Sequence, residues 1–338
     1  MSEDAPTDAV APREQRRGLQ ALGWAVSIVC VAGVVWWALR QPAPTLPSSA
    51  ANLGWVGVAV LVYGVCTILR GERWRTLLRD VDAHTSRADA YSLTAVGYMG
   101  NNVLPARAGD VMRVVLMAPR AGTTKRHVIG TLLAERLLDV AVLGALFLVL
   151  VFTVAGGAGL PHGDTLILLV GVVVVALIAV GIAALIARRR GLISRAKAFL
   201  APMVVSTTNL RSAHGLRMLA LTLVIWLGEA VVWGSCCAAL DLGATPLQAL
   251  FIVALASMFS LVPSGPGYAG TQDAAAAIGV RVITGTTRQA TSYIILVRAV
   301  LFIPITAIGL LLLALRYGGM KAFRTRDEVG PSAAPAAA

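Results

Sequence analysis

The chain has few charges, few histidines and cysteines and almost no lysine, and each shortage removes a class of function. Only 14% of its 338 residues are charged, 57% are hydrophobic, and the mean hydropathy is +0.76. A soluble domain cannot cover its surface with so little charge, so the composition excludes an ordinary soluble protein and points to the membrane. The four cysteines, Cys30, Cys66, Cys236 and Cys237, lie inside apolar runs without a C-x-x-C pair, which removes a thiol redox motif or a disulfide framework. His84, His127, His162 and His214 have no partner four residues away. A zinc or di-iron site therefore has no basis, no Ser-His-Asp or Cys-His arrangement can be drawn, and no metal or cofactor is expected. Lys+Arg number 29 against 17 Asp+Glu, a net charge of +12, yet only three of the 29 are Lys and no basic segment is interleaved with aromatics. Nucleic acid is not an expected partner. The scarcity of Lys beside abundant Ala and Val suggests a bacterial chain from a GC-rich genome.

What the sequence does have is long apolar runs. Residues 22–39, 165–186 and 299–315 contain no charged residue and approach or reach the ~20 residues that cross ~30 Å of hydrocarbon. Residues 53–69, 128–154, 218–240 and 290–315 complete six spans. The run at 22–39 follows Arg16 and Arg17 as a signal peptide would, but no A-x-A-like site precedes Arg40, and an uncleaved span fits better.

Two segments do not fit a simple spanning count. Residues 90–104 stop at Pro105 and are followed by a short arm, 109–118. Residues 247–262 stop at Pro263 and are followed by a second arm, 267–280. Proline ends a helix and glycine lets the backbone bend, so each pair of arms reads as a re-entrant hairpin that enters and leaves by one side. With both hairpins re-entrant, cytoplasmic segments carry 22 of the Lys+Arg. Outer segments carry Arg40, Arg281 and Arg288, and Arg107, Arg113, Arg136 and Arg298 lie at membrane depth. The expected fold is thus all-α and polytopic: about six transmembrane helices plus two re-entrant helical hairpins, countable as 7–8 spans, in an inverted repeat. A cytoplasmic basic tail occupies 1–20, one membrane domain 21–317 with pseudo-repeats at 21–157 and 163–317, and a disordered tail 318–338. Both termini are expected in the cytoplasm and the protein in the inner membrane. Residues 191–216 read either as an amphipathic helix on the inner leaflet or as a solvated basic loop.

Charges inside a bilayer default to function or to pairing, because each costs at least ~2.5 kcal/mol on insertion scales. Nine qualify: Arg107, Asp110, Arg113, Glu135, Arg136, Asp139, Glu229, Asp273 and Arg298. Spacing of three allows Asp110 to pair with Arg113 and Arg136 with Asp139. Glu135 and Asp139, four apart, repel unless a cation sits between them. Internal ion pairs holding a hairpin to its neighbouring span account for these residues as well as a binding site does. In the functional reading the first tip is an anion site. Pro105 and Gly109 turn the chain so that the following arm opens with free N–H groups, Arg107 and then Arg113 contact a lipid phosphate, and Asn101, Asn102 and Asp110 complete the substrate site. Four Arg against five acids leave no net positive pocket, and Glu229, alone in an apolar span, and Glu135 are the residues expected to titrate.

The stretch GPGYAG, residues 265–270, matches G-x-G-x-x-G literally, but no βαβ unit surrounds it and no acidic residue follows ~20 positions on. Pro263, Gly265, Pro266, Gly267 and Gly270 read instead as the bend of the second hairpin, matching Pro105 in the first.

Four motifs, RGERWRTLL (70–78), NNVLPARAGDVMRVVLM (101–117), AERLLDV (134–140) and VPSGPGYAGTQDAA (262–275), together resemble the flippase-like transmembrane region of the lysylphosphatidylglycerol synthase family. The resemblance spans about 53–315. Where the family motif has Glu, this chain has Asp110 and Asp273, each one methylene shorter. The resemblance implies a polytopic inner-membrane domain that moves lipids, or lipid-linked saccharides in some branches, between leaflets. Membrane lipids are the expected partners, and a scaffold reading adds envelope-synthesis enzymes. The chain ends 23 residues after Leu315. The expectation is a stand-alone membrane domain without the aminoacyl-transferring part, more a transporter than an enzyme. An integral-membrane transferase or an accessory protein in lipid-linked saccharide synthesis is the alternative.

Overall fold

The computed structural model describes residues 44–104, 107–155, 213–260, 267, 270–284 and 286–319. The expected spans at 22–39 and 165–186, most of the basic stretch 188–217, both tails, and Pro105, Pro263, Gly265 and Pro266 lie outside these residues. The described residues form eight α-helices and no strand: α1 (Ala50–Arg79), α2 (Arg87–Val103), α3 (Ala108–Arg120), α4 (Lys125–Ala155), α5 (Ala213–Ala239), α6 (Pro246–Phe259), α7 (Thr271–Thr284) and α8 (Thr287–Tyr317). Three of them, α1, α5 and α8, are long and apolar enough by themselves to cross a membrane.

Local chemistry sets the boundaries. Ser49, Ser86 and Thr245 cap α1, α2 and α6 by accepting the backbone N–H three residues on, and in α6 Gln248 returns the bond to Thr245 N, with Pro246 in the first turn. Leu104, the residue before Pro105, is extended (φ −103°, ψ 148°) and ends α2, as a pre-proline residue should. Pro119 does not stop α3. It sits in the last turn, where little ladder remains to break, and the helix ends one residue later at Arg120.

The chain makes the same connection twice. After α1 the N–H groups of Val81, Asp82 and Ala83 bond to Leu78, Arg79 and Leu78; after α5 those of Leu240, Asp241 and Leu242 bond to Cys237, Ala238 and Cys237. Asp82 and Asp241 both have φ 53°, and a hydroxyl N-cap follows each at the same distance. Beyond these turns, α2 packs on α3 and α6 on α7, forming two helical hairpins. The first hairpin lies against α8 and the second against α4, while α1 and α5 pack along each other. The pattern maps onto itself when α1–α4 and α5–α8 are exchanged.

Cross-links identify which helix ends share a side. His214 at the start of α5 meets Asp80 after α1 (3.0 Å), Arg316 at the end of α8 meets Asp89 at the start of α2 (3.1 Å), and the Arg120 guanidinium lies 4.7 Å from the Tyr317 ring centre. At the opposite side Asn52 donates to Asp241 (2.9 Å) and Thr45 N to Ser292 Oγ (2.8 Å). Both arms of the first hairpin therefore open on one side and both arms of the second on the other.

Glycine permits the tightest of these contacts. A Cβ on Gly109 would fall 1.8 Å from the Gly97 carbonyl oxygen and 2.6 Å from Asn101 N, and one on Gly100 would fall 2.6 Å from Gly109 Cα. Gly109 was expected to help turn the chain, but it lies inside α3 and serves to bring the two arms together. The turn itself falls on Arg107, whose backbone is left-handed (φ 54°, ψ 38°).

Candidate functional site

Between the two hairpin tips lies a cavity of 120 Å³ with a mixed charged and apolar lining, to which α1, α2, α4, α5, α6, α7, α8 and the Arg107 turn all contribute. A space of this size holds several water molecules. Its charged lining consists of Arg70, Arg107, Arg136, Asp139 and Glu229, with Asn102, Ser257, Ser260 and Gln272 as neutral polar groups and Tyr63, Tyr98, Trp226, Trp233 and Phe302 as aromatic walls.

A layer of ion pairs stands behind and beside the cavity. Arg113 bonds Glu135 at 2.9 Å and lies 3.9 Å from the Trp74 ring centre. Arg73 spans Asp139 (2.7 Å) and Glu135 (3.7 Å) and also donates to Thr222 (3.0 Å), and Trp226 Nε1 donates to Asp139 (3.2 Å). Arg70 meets Glu229 at 2.6 Å. These residues are almost wholly buried, Arg73 at 1% and Arg113 at 2% exposure, where an ion pair must be complete or it is strongly destabilising. A looser set is partly open. Arg136 lies 3.7 Å from Asp110 and 3.6 Å from Asp139, and Arg298 holds Asp273 through two bonds of 2.6 and 2.5 Å. Asp110 is the third residue of α3 and Arg136 the twelfth of α4; Asp273 and Arg298 hold the same places in α7 and α8.

Two sequence expectations are corrected by this arrangement. Arg70 and Arg73, counted with the cytoplasmic arginines, are buried inside, because α1 does not end with the apolar run at Leu69 but continues for ten residues and carries them inward. Asp110 does not pair with Arg113. Arg113 turns under Trp74 to Glu135, which leaves Asp110 to Arg136. Glu229, the one charge in its own span, is met from α1 by Arg70. The charge count changes accordingly to six arginines (70, 73, 107, 113, 136 and 298) against five acids. Arg136 and Asp139 do pair, and the cation between Glu135 and Asp139 is Arg73. The signal for Arg70 and Arg73 was their spacing of three on a helix already committed to the membrane, which puts both on one face.

The remaining candidates fall at the tips. The Arg107 side chain reaches across the cavity and donates to the Ser260 carbonyl at the end of α6 (2.7 Å). Asn102 donates to Thr306 (3.1 Å), and Asn101 approaches Asp110 (3.4 Å). Arg113 does not line the cavity, whereas Arg107 does. Gly267 and Gly270 have φ 62° and 99°, left-handed values that suit glycine, and Gly270 N bonds to Asp273.

A buried Arg/Asp/Glu network beside a cavity between paired hairpins has a counterpart in a known sequence family. Residues 22–309 match the lysylphosphatidylglycerol synthase TM region. The chain belongs to this family. Among curated proteins, it is 24% identical over 156 residues to a UPF0104 membrane protein of Pyrococcus horikoshii, covering 45% of each chain. It is also 29% identical over 112 residues to the Glycosyltransferase AglD of Haloferax volcanii, covering 33% of this chain and 18% of that one. The match thus spans less than half the length of either relative. No solved structure matches the chain.

Proposed function

We propose that this membrane protein is a lipid translocator of the inner membrane, moving a phosphate-bearing lipid, either an anionic phospholipid or a polyprenyl-phosphate-linked glycolipid, between leaflets. The observation that carries the reading is the cavity between the hairpin tips. A space lined by three arginines among apolar and aromatic side chains suits a head group that crosses while its chains stay in the bilayer. Arg107 is the leading phosphate ligand, with Arg136 and Arg70 beside it.

The architecture behind this reading is an inverted repeat with re-entrant hairpins. It is supported by the repeated turn at Asp82 and Asp241, the exchange symmetry of the helix packing, and the matched pairs Asp110–Arg136 and Asp273–Arg298. Orientation follows from charge. The side holding the ends of the first hairpin carries Arg75, Arg79, Arg87, Arg120, Lys125, Arg126, Arg217 and Arg316 against Glu72, Asp80, Asp82 and Asp89, whereas the other carries Arg281 and Arg288 against Asp241. The first side is the cytoplasmic one.

The test is lipid movement. Purified protein in vesicles should carry a labelled anionic lipid across leaflets, and Arg107→Ala should slow it by at least about tenfold, as losing a charged hydrogen-bond donor to a phosphate implies. Equal rates for wild type, variant and empty vesicles would remove the proposal. The likeness to a protein named as a glycosyltransferase favours one second reading, a transferase or accessory protein in lipid-linked saccharide synthesis. A new product after incubation with labelled lipid-linked sugar would decide for it.

A further inference from the structure

The cavity has a closed side and an open one. Arg70 from α1 and Trp226, Glu229 and Trp233 from α5 form its floor, and all four are buried. Its walls rise on α4 and α8, which both pack on α1 and α5 but not along each other. On the face away from the floor stand the second arms of the hairpins: α3 packs on α2 and α4, α7 packs on α6 and α8, and neither packs on α1 or α5. These arms, of 13 and 14 residues, run outward from the tips in opposite directions. At the level of the cavity both begin, and neither covers that face. Two side chains flank the gap. Val140 is the sixteenth of the 31 residues of α4 and Phe302 the sixteenth of the 31 of α8, so each stands at the middle of its helix, one turn beyond Arg136 or Arg298. Both line the cavity, yet Val140 is 44% exposed. In a helix that spans the bilayer, mid-length is ~15 Å from either interface, and an open side chain there meets lipid, not water. Phe302 is fixed in its place: the Arg298 guanidinium lies 4.9 Å from its ring centre, and a Cβ on Gly267 of the second tip would overlap the ring.

Resting on the translocator reading of the same cavity, we infer that it opens sideways into the bilayer at mid-depth between α4 and α8, with Val140 and Phe302 as the lips through which the hydrocarbon chains of the bound lipid leave. The chains lose their apolar surroundings if they follow the head group among arginines and carboxylates. Two apolar side chains at the middle of facing helices let them stay in the bilayer while the phosphate lies inside. Val140 and Phe302 are thus positioning residues for the chain, as Arg107 is for the phosphate.

The depth of a chain carbon separates a lipid in the mouth from one in the surrounding bilayer. Phosphatidylglycerol with a diazirine on the acyl carbon next to the ester is built into vesicles with the full chain and illuminated, and the labelled residues are read by mass spectrometry. In an ordinary bilayer lipid that carbon lies near the interface, about 15 Å from the midplane. In a lipid whose phosphate is in the cavity it lies beside the lips. Val140 and Phe302 should be labelled, whereas Leu137, 50% exposed on the same helix but outside the cavity lining, should not. Equal label on Leu137 and Val140, or none on Phe302, would overturn the inference. Lip label should fall by about tenfold in Arg107→Ala, as losing a charged contact to the phosphate implies, and label that stays would remove Arg107 as the ligand while upholding the mouth. Val140→Trp crowds the opening at an exposed position and should slow lipid movement by at least about tenfold, with Leu137→Trp within about twofold of wild type. Movement at the wild-type rate in Val140→Trp would also overturn the inference. Label on both lips without movement in vesicles would sink the translocator and leave the mouth standing. Movement with no label on the lips would do the reverse.

Discussion

Gly109→Ala tests whether the first hairpin is as tightly closed as its geometry requires. The new methyl would lie 1.8 Å from the Gly97 carbonyl oxygen and 2.7 Å from Asn101 Oδ1, and the first of these is backbone that cannot rotate away. To reach even a 3.0 Å contact the arms must part by about 1.2 Å, which also opens the Asn101–Asp110 and Gly100–Gly109 contacts. Overpacking of this kind costs up to about 3 kcal/mol, and the better helix propensity of Ala returns about 1, leaving a net loss of ~2 kcal/mol. At ~2–4 °C per kcal/mol for a chain of this size, the melting temperature should fall by about 4–8 °C. The assay is thermal unfolding in detergent on a Cys30→Ser background, with a thiol-reactive dye reporting exposure of the buried free thiols of Cys66, Cys236 and Cys237. Gly144→Ala is the control, since its Cβ would meet nothing within 4 Å. A Gly109→Ala melting temperature within about 1 °C of wild type would refute the close approach.

Glu135→Gln should be among the most damaging single changes. It leaves the buried Arg113 guanidinium without its carboxylate and Arg73 with Asp139 alone, a loss of about 3–5 kcal/mol, and Arg113→Gln on top of it should recover much of the folded yield. No recovery in the double variant would refute the pairing. Arg107→Gly and Arg107→Ala separate backbone from side chain: glycine relieves the left-handed residue and should be the more stable by about 1 kcal/mol, yet both should be equally slow in vesicles. Ser86→Ala and Thr245→Ala should each lower stability by about 0.5–2 kcal/mol, measured by the same thiol melts, and a cap whose removal changes nothing is not made.

Much of the framework was legible because apolar runs and prolines are local signals. The span expected at 218–240 is α5, and the arms expected at 90–104 and 247–262 are α2 and α6 within a few residues. The misreadings share a cause. A run of arginines after Leu69 looks like a membrane boundary when composition is read in windows, but Trp74, Leu77 and Leu78 continue the buried face of α1 through it. Pairing was legible only within a helix. Arg136 and Asp139 could be matched by spacing, whereas Arg113–Glu135, Arg73–Asp139 and Arg70–Glu229 join different helices, and no spacing rule reaches them. Gly109 shows the same limit. Its sequence context, close after Pro105, suggests a turn, and only the approach of Gly97 and Gly100 from the other arm explains it.

The ion pairs and hydrogen bonds of the site divide by what they join. Arg113–Glu135 and Arg73–Asp139 tie α3, α4 and α1 into one block, and Asp273–Arg298 ties α7 to α8 in the other, each with opposite charges in contact. Across the blocks, Arg107 bonds the Ser260 carbonyl, Asn102 bonds Thr306, and Arg73 bonds Thr222, each with a neutral acceptor, while Trp226 donates to the Asp139 carboxylate. Hydrogen bonds between neutral groups contribute ~0.5–1.5 kcal/mol and those to charged groups ~1.5–3 kcal/mol, while a broken buried ion pair costs ~3–5 kcal/mol. If the halves rock to pass a head group, the cross-links at the tips give way first and the blocks move whole. Among these links Arg70–Glu229 joins opposite charges across the divide, and it lies where α1 packs along α5. In the proposed motion, a contact that is strong and placed where α1 packs along α5 would suit the pivot, and Arg107, at the tips, would exchange the Ser260 carbonyl for a phosphate.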